Sequence, residues 1–146
     1  MCEAARIVHD KLHNLDLSAL GVSDYNCSYL KRKLDSPEYT FQLYSYLLSL
    51  LFSNNGKYSI EEYTMVDYGG GSGVMALIAK AAGVKKVIYN DIYDISGNDV
   101  KKISDAIGFG PDDYAIGDIN DLKAYLETHK YTVNGVCSYD VIEHIY

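Results

Sequence analysis

Cysteine is scarce in this chain, and its placement excludes two classes of protein. Cys2, Cys27 and Cys137 are far apart, odd in number and form no Cys-x-x-Cys pair. The pattern supports neither a disulfide framework nor a zinc site, and it fits a reducing, cytoplasmic setting. Long apolar runs are missing too. The most apolar stretch, Tyr44 to Phe52, is interrupted by Ser45 and Ser49. It falls well short of the roughly 20 residues that span a bilayer. Glu3, Arg6 and Asp10 lie close to the N-terminus, so no secretory leader is expected there. Neither an internal repeat nor a low-complexity tract occurs. What remains is 146 residues, 48% of them apolar, enough for one domain with a core.

Charge is scarce in one sign. The net charge is −7, yet residues 1–60 carry six acids and six bases, so the whole excess lies in residues 61–146. An acidic surface repels phosphate backbones. A nucleic-acid partner is therefore disfavoured, and a small-molecule partner is expected. Lys31-Arg32-Lys33 is the only basic cluster, and three such residues read as a solvated helix face.

Two regions differ in pattern. Residues 1–60 read as a helical segment. Ala4, Ile7, Val8, Leu12 and Leu15 recur at helical spacing. Ser36-Pro37-Glu38 offers a cap, a first-position proline and an acid at the positive dipole end. Phe41, Tyr44, Leu47, Leu48 and Leu51 then form a stripe that Asn54-Asn55-Gly56 closes. From residue 61 the pattern alternates. Strands are predicted at Tyr63–Tyr68, Lys86–Asn90, Tyr114–Ile116 and Thr132–Cys137. Helices are predicted at Val74–Ala82, Asp99–Ile107 and Asp121–His129, with Gly83 a left-handed stop, Asn120 a cap, and a further helix from Tyr139. Such alternation implies a parallel sheet with right-handed crossovers.

The richest segment is Val66-Asp67-Tyr68-Gly69-Gly70-Gly71-Ser72-Gly73, set between a strand and a helix. Glycines there admit positive φ and close ligand approach, and the next helix turns its free N–H groups toward the loop. Two ligand classes compete. Gly71-Ser72-Gly73-Val74-Met75-Ala76 satisfies the dinucleotide pattern G-x-G-x-x-A, with Asp91 near the ribose position. Asp67, Gly69, Gly71 and Gly73 fill the pattern acid-x-G-x-G-x-G of S-adenosylmethionine sites. Asp67 favours the second, because its carboxylate suits an ammonium and sits badly beside a pyrophosphate.

On these residues the chain resembles the class I S-adenosylmethionine-dependent methyltransferases, and the resemblance extends over residues 63–146. It implies a Rossmann-like α/β fold. It implies that Asp67, Tyr68, Gly69, Gly71 and Gly73 hold the cofactor's amino-acid end, and that Asp91 accepts from both ribose hydroxyls. Ile92 would pack on the adenine, Asp118 would accept from its exocyclic amine, and Ile119 would cover the ring. Cys137-Ser138-Tyr139-Asp140-Val141-Ile142-Glu143-His144-Ile145 resembles the exit of the family's fourth strand, which places Ser138 at the cofactor. Relatives often carry aspartate where this chain has Asn134.

Methyl transfer from a sulfonium rests largely on alignment and exclusion of water, so no catalytic residue is legible from these motifs. Asp140, Glu143 and His144 would share a helix face, and some related methyltransferases place a metal on such residues. The reading adopted is that the acids favour the helix N-terminus and His144 packs or faces solvent, with no metal. His9 and His13 read as a solvated helix face. The expected function is methyl transfer to a small-molecule acceptor, with residues 1–60 as a cap over residues 61–146. The alternatives are an NAD(P)-dependent oxidoreductase and a cofactor-binding module without turnover. The family sheet has seven strands and this sequence supplies four, so residues 61–146 read as an incomplete half-domain. An exposed fourth strand would then invite self-association.

Overall fold

The computed structural model describes residues 2–53 and 57–141. Three α-helices come first: α1 (Glu3–His13), α2 (Asp24–Asp35) and, after a π-helical turn at Glu38–Gln42, α3 (Leu43–Ser53). Helix α1 buries Ala4, Ala5, Val8 and Leu12, one stripe at helical spacing. Helix α2 starts at Ser23, whose hydroxyl accepts from Asn26 N. Ser36 does not cap the following helix as its sequence position predicts. It closes α2 instead, and its carbonyl accepts from Thr40 N. The turn expected at Asn54-Asn55-Gly56 lies outside the described residues.

Four strands follow: β1 (Thr64–Tyr68), β2 (Lys86–Asp91), β3 (Asp113–Ile116) and β4 (Gly135–Cys137). All pair in parallel, in the order β3-β2-β1-β4. Helices α4 (Val74–Ala81), α5 (Asp94–Ile107) and α6 (Ile119–Thr128) are the crossovers. The chain steps outward from β1 to β3, then returns to the other side of β1. Right-handed crossovers put α4 and α5 on one face and α6 on the other, and burial agrees. Met65 and Val87 pack with α4, Ile103 and Ile107, while Val66, Ile88 and Ala115 pack with Leu122. Helices α1–α3 cover the first face. Val8, Leu12, Phe41 and Leu48 share one core with α4. The architecture is α/β and Rossmann-like.

Several boundaries move from their predicted places. Helix α5 begins five residues early, through Gly97. Glycine is needed there for contact, since a Cβ would lie 2.6 Å from Ile116 Cδ1. Helix α6 begins at Asp118 rather than Asn120. Asp118 Oδ1 accepts from Asn120 N and Asp121 N, and Asp121 Oδ2 accepts from Asp118 N, a reciprocal capping box. Gly83, at φ 94°, follows α4 as expected. Strand β4 has three residues instead of six. Ahead of it, Asn134 imitates a ladder step: Asn134 N donates to Thr64 O and Asn134 Oδ1 accepts from Thr64 N, both at 2.8 Å. No helix starts at Tyr139, because Asp140 takes a left-handed φ of 62°.

Strand β4 is a sheet edge among the described residues, and Val136 is 55% exposed. Among the described residues only α6 covers that face. It leaves an apolar groove of about 570 Å³ lined by Val66, Tyr68, Leu122, Val133 and Val136. No helix among the described residues is long and apolar enough to cross a membrane.

Candidate cofactor site

Open parallel sheets bind ligands outside the carboxyl ends of the strands, where strand order reverses. Here that point lies between β1 and β4, and the glycine loop leaves β1 there. Gly69, Gly71 and Gly73 all have positive φ, 68°, 52° and 74°. Gly73 is doubly constrained, because a Cβ would also meet the Val100 methyl groups at 2.7 and 2.8 Å. Two side chains from β2 fix the loop. Tyr89 OH donates to Gly71 O at 2.6 Å, and Gly71 N donates to Asp91 Oδ2 at 2.9 Å. Ser72 is buried, and its hydroxyl has no partner among the described residues.

Asp67, next to last in β1, lies on the face that α1–α4 cover, while Tyr68 turns to the opposite face and lines the α6 groove. The Asp67 carboxylate is 4% exposed and accepts from Ala76 N at 3.1 Å, in the first turn of α4. Burial pushes its pKa up to about 7, against the Ala76 hydrogen bond and the charge of Lys33. Burial, aided by Asp67, likewise pushes the Cys137 thiol up to about 12, so it rests protonated near neutral pH.

Asp91 ends β2, almost fully buried. Its Oδ1 accepts from Tyr93 N and its Oδ2 from Gly71 N. Each carboxylate oxygen retains a further lone pair. Ile92 and Ile119, the residues predicted to hold an adenine, are 64% and 56% exposed, large apolar side chains left open to solvent. Asp118 is exposed, and its Oδ1 serves the helix cap. Ser138 is exposed just beyond β4. The structure thus joins Gly71 directly to Asp91 and sets Gly69, Gly73 and Asp67 around the same loop at the adjacent end of β1. Asp118 and Ile119 sit at the start of α6 after β3.

Of Asp140, Glu143 and His144, only Asp140 lies within the described residues, where it has a left-handed φ of 62°. Among the described residues no three potential ligands come together. His9 and His13 stack at 5.8 Å, and the half-buried His9 meets Phe41 edge-on at 5.1 Å, so His9 packs where a solvated face was expected.

One cluster has no signature in the sequence. Lys33 does not share the solvated face expected for Lys31-Arg32-Lys33: it turns inward while the other two stay exposed. Its Nζ donates to Tyr44 OH at 2.5 Å, and it lies 5.0 and 4.7 Å from the Tyr29 and Tyr44 ring centres. Burial pushes its pKa down to about 8, although the Asp67 and Asp140 charges act the other way. Tyr44 meets Tyr139 edge-on at 5.3 Å, and Tyr29 OH lies 3.5 Å from Asp140 Oδ2. Helices α2 and α3 therefore reach the exit of β4. One anchor holds the start of α2. Buried Asp99 on α5 accepts from Ser23 N, Ser23 Oγ and Asn26 Nδ2, and it pairs with Lys102 at 3.1 Å. Only the helical spacing of Ser23, Asn26 and Leu30 hinted that α2 packs at all.

Compared with protein-family models, with curated proteins and with solved structures, the chain finds no match.

Proposed function

We propose that this chain binds S-adenosylmethionine and belongs to a methyl-transfer site acting on a small-molecule acceptor. The observation that carries the reading is Asp67. A buried carboxylate occupies the Ala76 N–H in the first turn of α4, the place where a dinucleotide would need free N–H groups for its pyrophosphate. A negative charge at that point repels a phosphate and attracts an ammonium. The remaining features fit the same ligand. Asp91 retains acceptor capacity for a ribose diol, and Ile92 and Ile119 offer apolar surface for a base. The sulfonium is its own leaving-group activation, so the chain's residues would hold and orient rather than exchange protons.

Calorimetry with S-adenosylhomocysteine and with NAD separates this reading from the oxidoreductase. Asp91→Ala should weaken S-adenosylhomocysteine by roughly 1.5–3 kcal/mol, the range of a charged hydrogen bond. Preferential binding of NAD, or unchanged affinity in the variant, refutes the assignment.

A further inference from the structure

We propose that Lys33 reads the carboxylate of the cofactor's amino-acid end, so that α2 and β1 together hold a zwitterion. This rests on the S-adenosylmethionine reading above and extends it to a residue from the N-terminal helices.

The argument starts from unspent bonding capacity. Lysine has three N–H donors, and among the described residues Lys33 uses one, on Tyr44 OH, and makes no ion pair. Two donors remain on a cation that is largely withdrawn from water. The Tyr29 and Tyr44 rings flank the ammonium, which fixes its direction and adds attraction from two ring faces. Tyr44 in turn packs on Tyr139, so the cation is held at the reversal point between β1 and β4.

The second half is Asp67. Its carboxylate is buried and accepts one backbone hydrogen bond but, among the described residues, has no cationic partner. Tyr139, which Tyr44 meets, stands two residues beyond Cys137, the register partner of Asp67 on β4, and among the described residues Lys33 donates to Tyr44 and not to Asp67. Two opposite charges, both sheltered and held apart, complement an α-amino acid: ammonium toward Asp67, carboxylate toward Lys33. A neutral tail would leave both charges unanswered. Asp140, at the exit of β4, is the competing acid that faces Lys33. It is exposed and shares its Oδ2 with Tyr29 OH, which leaves Lys33 free for a ligand.

The test uses three nucleosides: S-adenosylhomocysteine, its decarboxylated analogue, which retains the ammonium, and 5′-methylthioadenosine, which lacks both charges. The native chain should bind S-adenosylhomocysteine about 10- to 100-fold more tightly than the decarboxylated analogue, as one charged hydrogen bond predicts. Lys33→Met keeps the apolar stem between the rings. It should remove that preference and leave 5′-methylthioadenosine binding unchanged, and Lys33→Arg should restore most of it. Equal loss for all three nucleosides in Lys33→Met shows a packing role and overturns the inference. So does unchanged affinity for S-adenosylhomocysteine. If Lys33→Met fails to fold, equal binding of S-adenosylhomocysteine and the decarboxylated analogue by the native chain overturns it alone. Binding of none of the three by the native chain refutes the cofactor reading itself, a result distinct from the others.

Discussion

Asp67 should make the empty protein less stable than it could be, and the deficit should depend on pH. Burial raises its pKa from the ordinary 3.8 to about 7. A carboxyl group with a raised folded-state value binds its proton more tightly when folded. Below pH 4 it is neutral in both states and carries no penalty. Between pH 4 and 7 the unfolded chain ionises first, so stability falls as pH rises. Above pH 7 both states are ionised and the penalty is constant. About three pKa units at 1.36 kcal/mol each give roughly 4 kcal/mol. Asp67→Asn removes the charge and keeps an oxygen for Ala76 N, but its amide adds an unpaired donor worth about 1 kcal/mol. The variant should therefore exceed the native chain by about 3 kcal/mol at pH 8, close to 10 °C in melting temperature for a domain of this size. At pH 4, where the penalty has gone, the variant should be less stable than the native chain by up to about 1 kcal/mol. Urea unfolding across pH 4–8.5 measures this, and the same variant should bind S-adenosylhomocysteine more weakly. Parallel stability curves over the whole range would refute the reasoning.

Two further outcomes are expected. Asp99→Ala leaves Ser23 N–H and the buried Asn26 amide without their acceptor, and it should cost about 2–4 kcal/mol in urea unfolding, at about 1–3 kcal/mol for each unmet donor. Although burial opposes it, hydrogen bonds from Ser23 and Asn26 hold the Asp99 pKa below its ordinary value. Its contribution is thus present above the usual carboxylate range and lost as pH falls below it, an acid sensitivity that Asp99→Ala should lack. The open β4 edge, with Val136 exposed, should give concentration-dependent association in light scattering. Val136→Lys should suppress it by charging the edge, and a concentration-independent monomer in the native chain would refute the edge argument.

Much of the sheet was legible because strand and helix periodicities differ so sharply after residue 61. The glycine loop follows β1 and Asp91 closes β2 as the pattern predicts, for the same reason: apolar residues define each strand. Boundaries failed where side chains replace backbone partners. Asn134 lends its own amide to β1, so β4 shrinks, and Asp118 outcompetes Asn120 because Asp121 completes its capping box. Lys33 failed for a different reason. Its burial depends on Tyr29 one turn earlier and on Tyr44 from another helix, and no local pattern shows an inter-helix contact.

The strand order also sets a timetable. Strand β1 can join β2 and β3 once the chain has reached residue 116, but its other flank waits for β4, which begins at Gly135. From the end of β1 to the end of β4 a ribosome needs roughly 4–14 s at 5–20 residues per second. During that interval the inner strand of the finished sheet is temporarily an outer one, with Thr64 N and O unclaimed until Asn134 arrives to take both. When it does, its two bonds tie the chain to β1 one residue ahead of the register in which Gly135, Val136 and Cys137 pair.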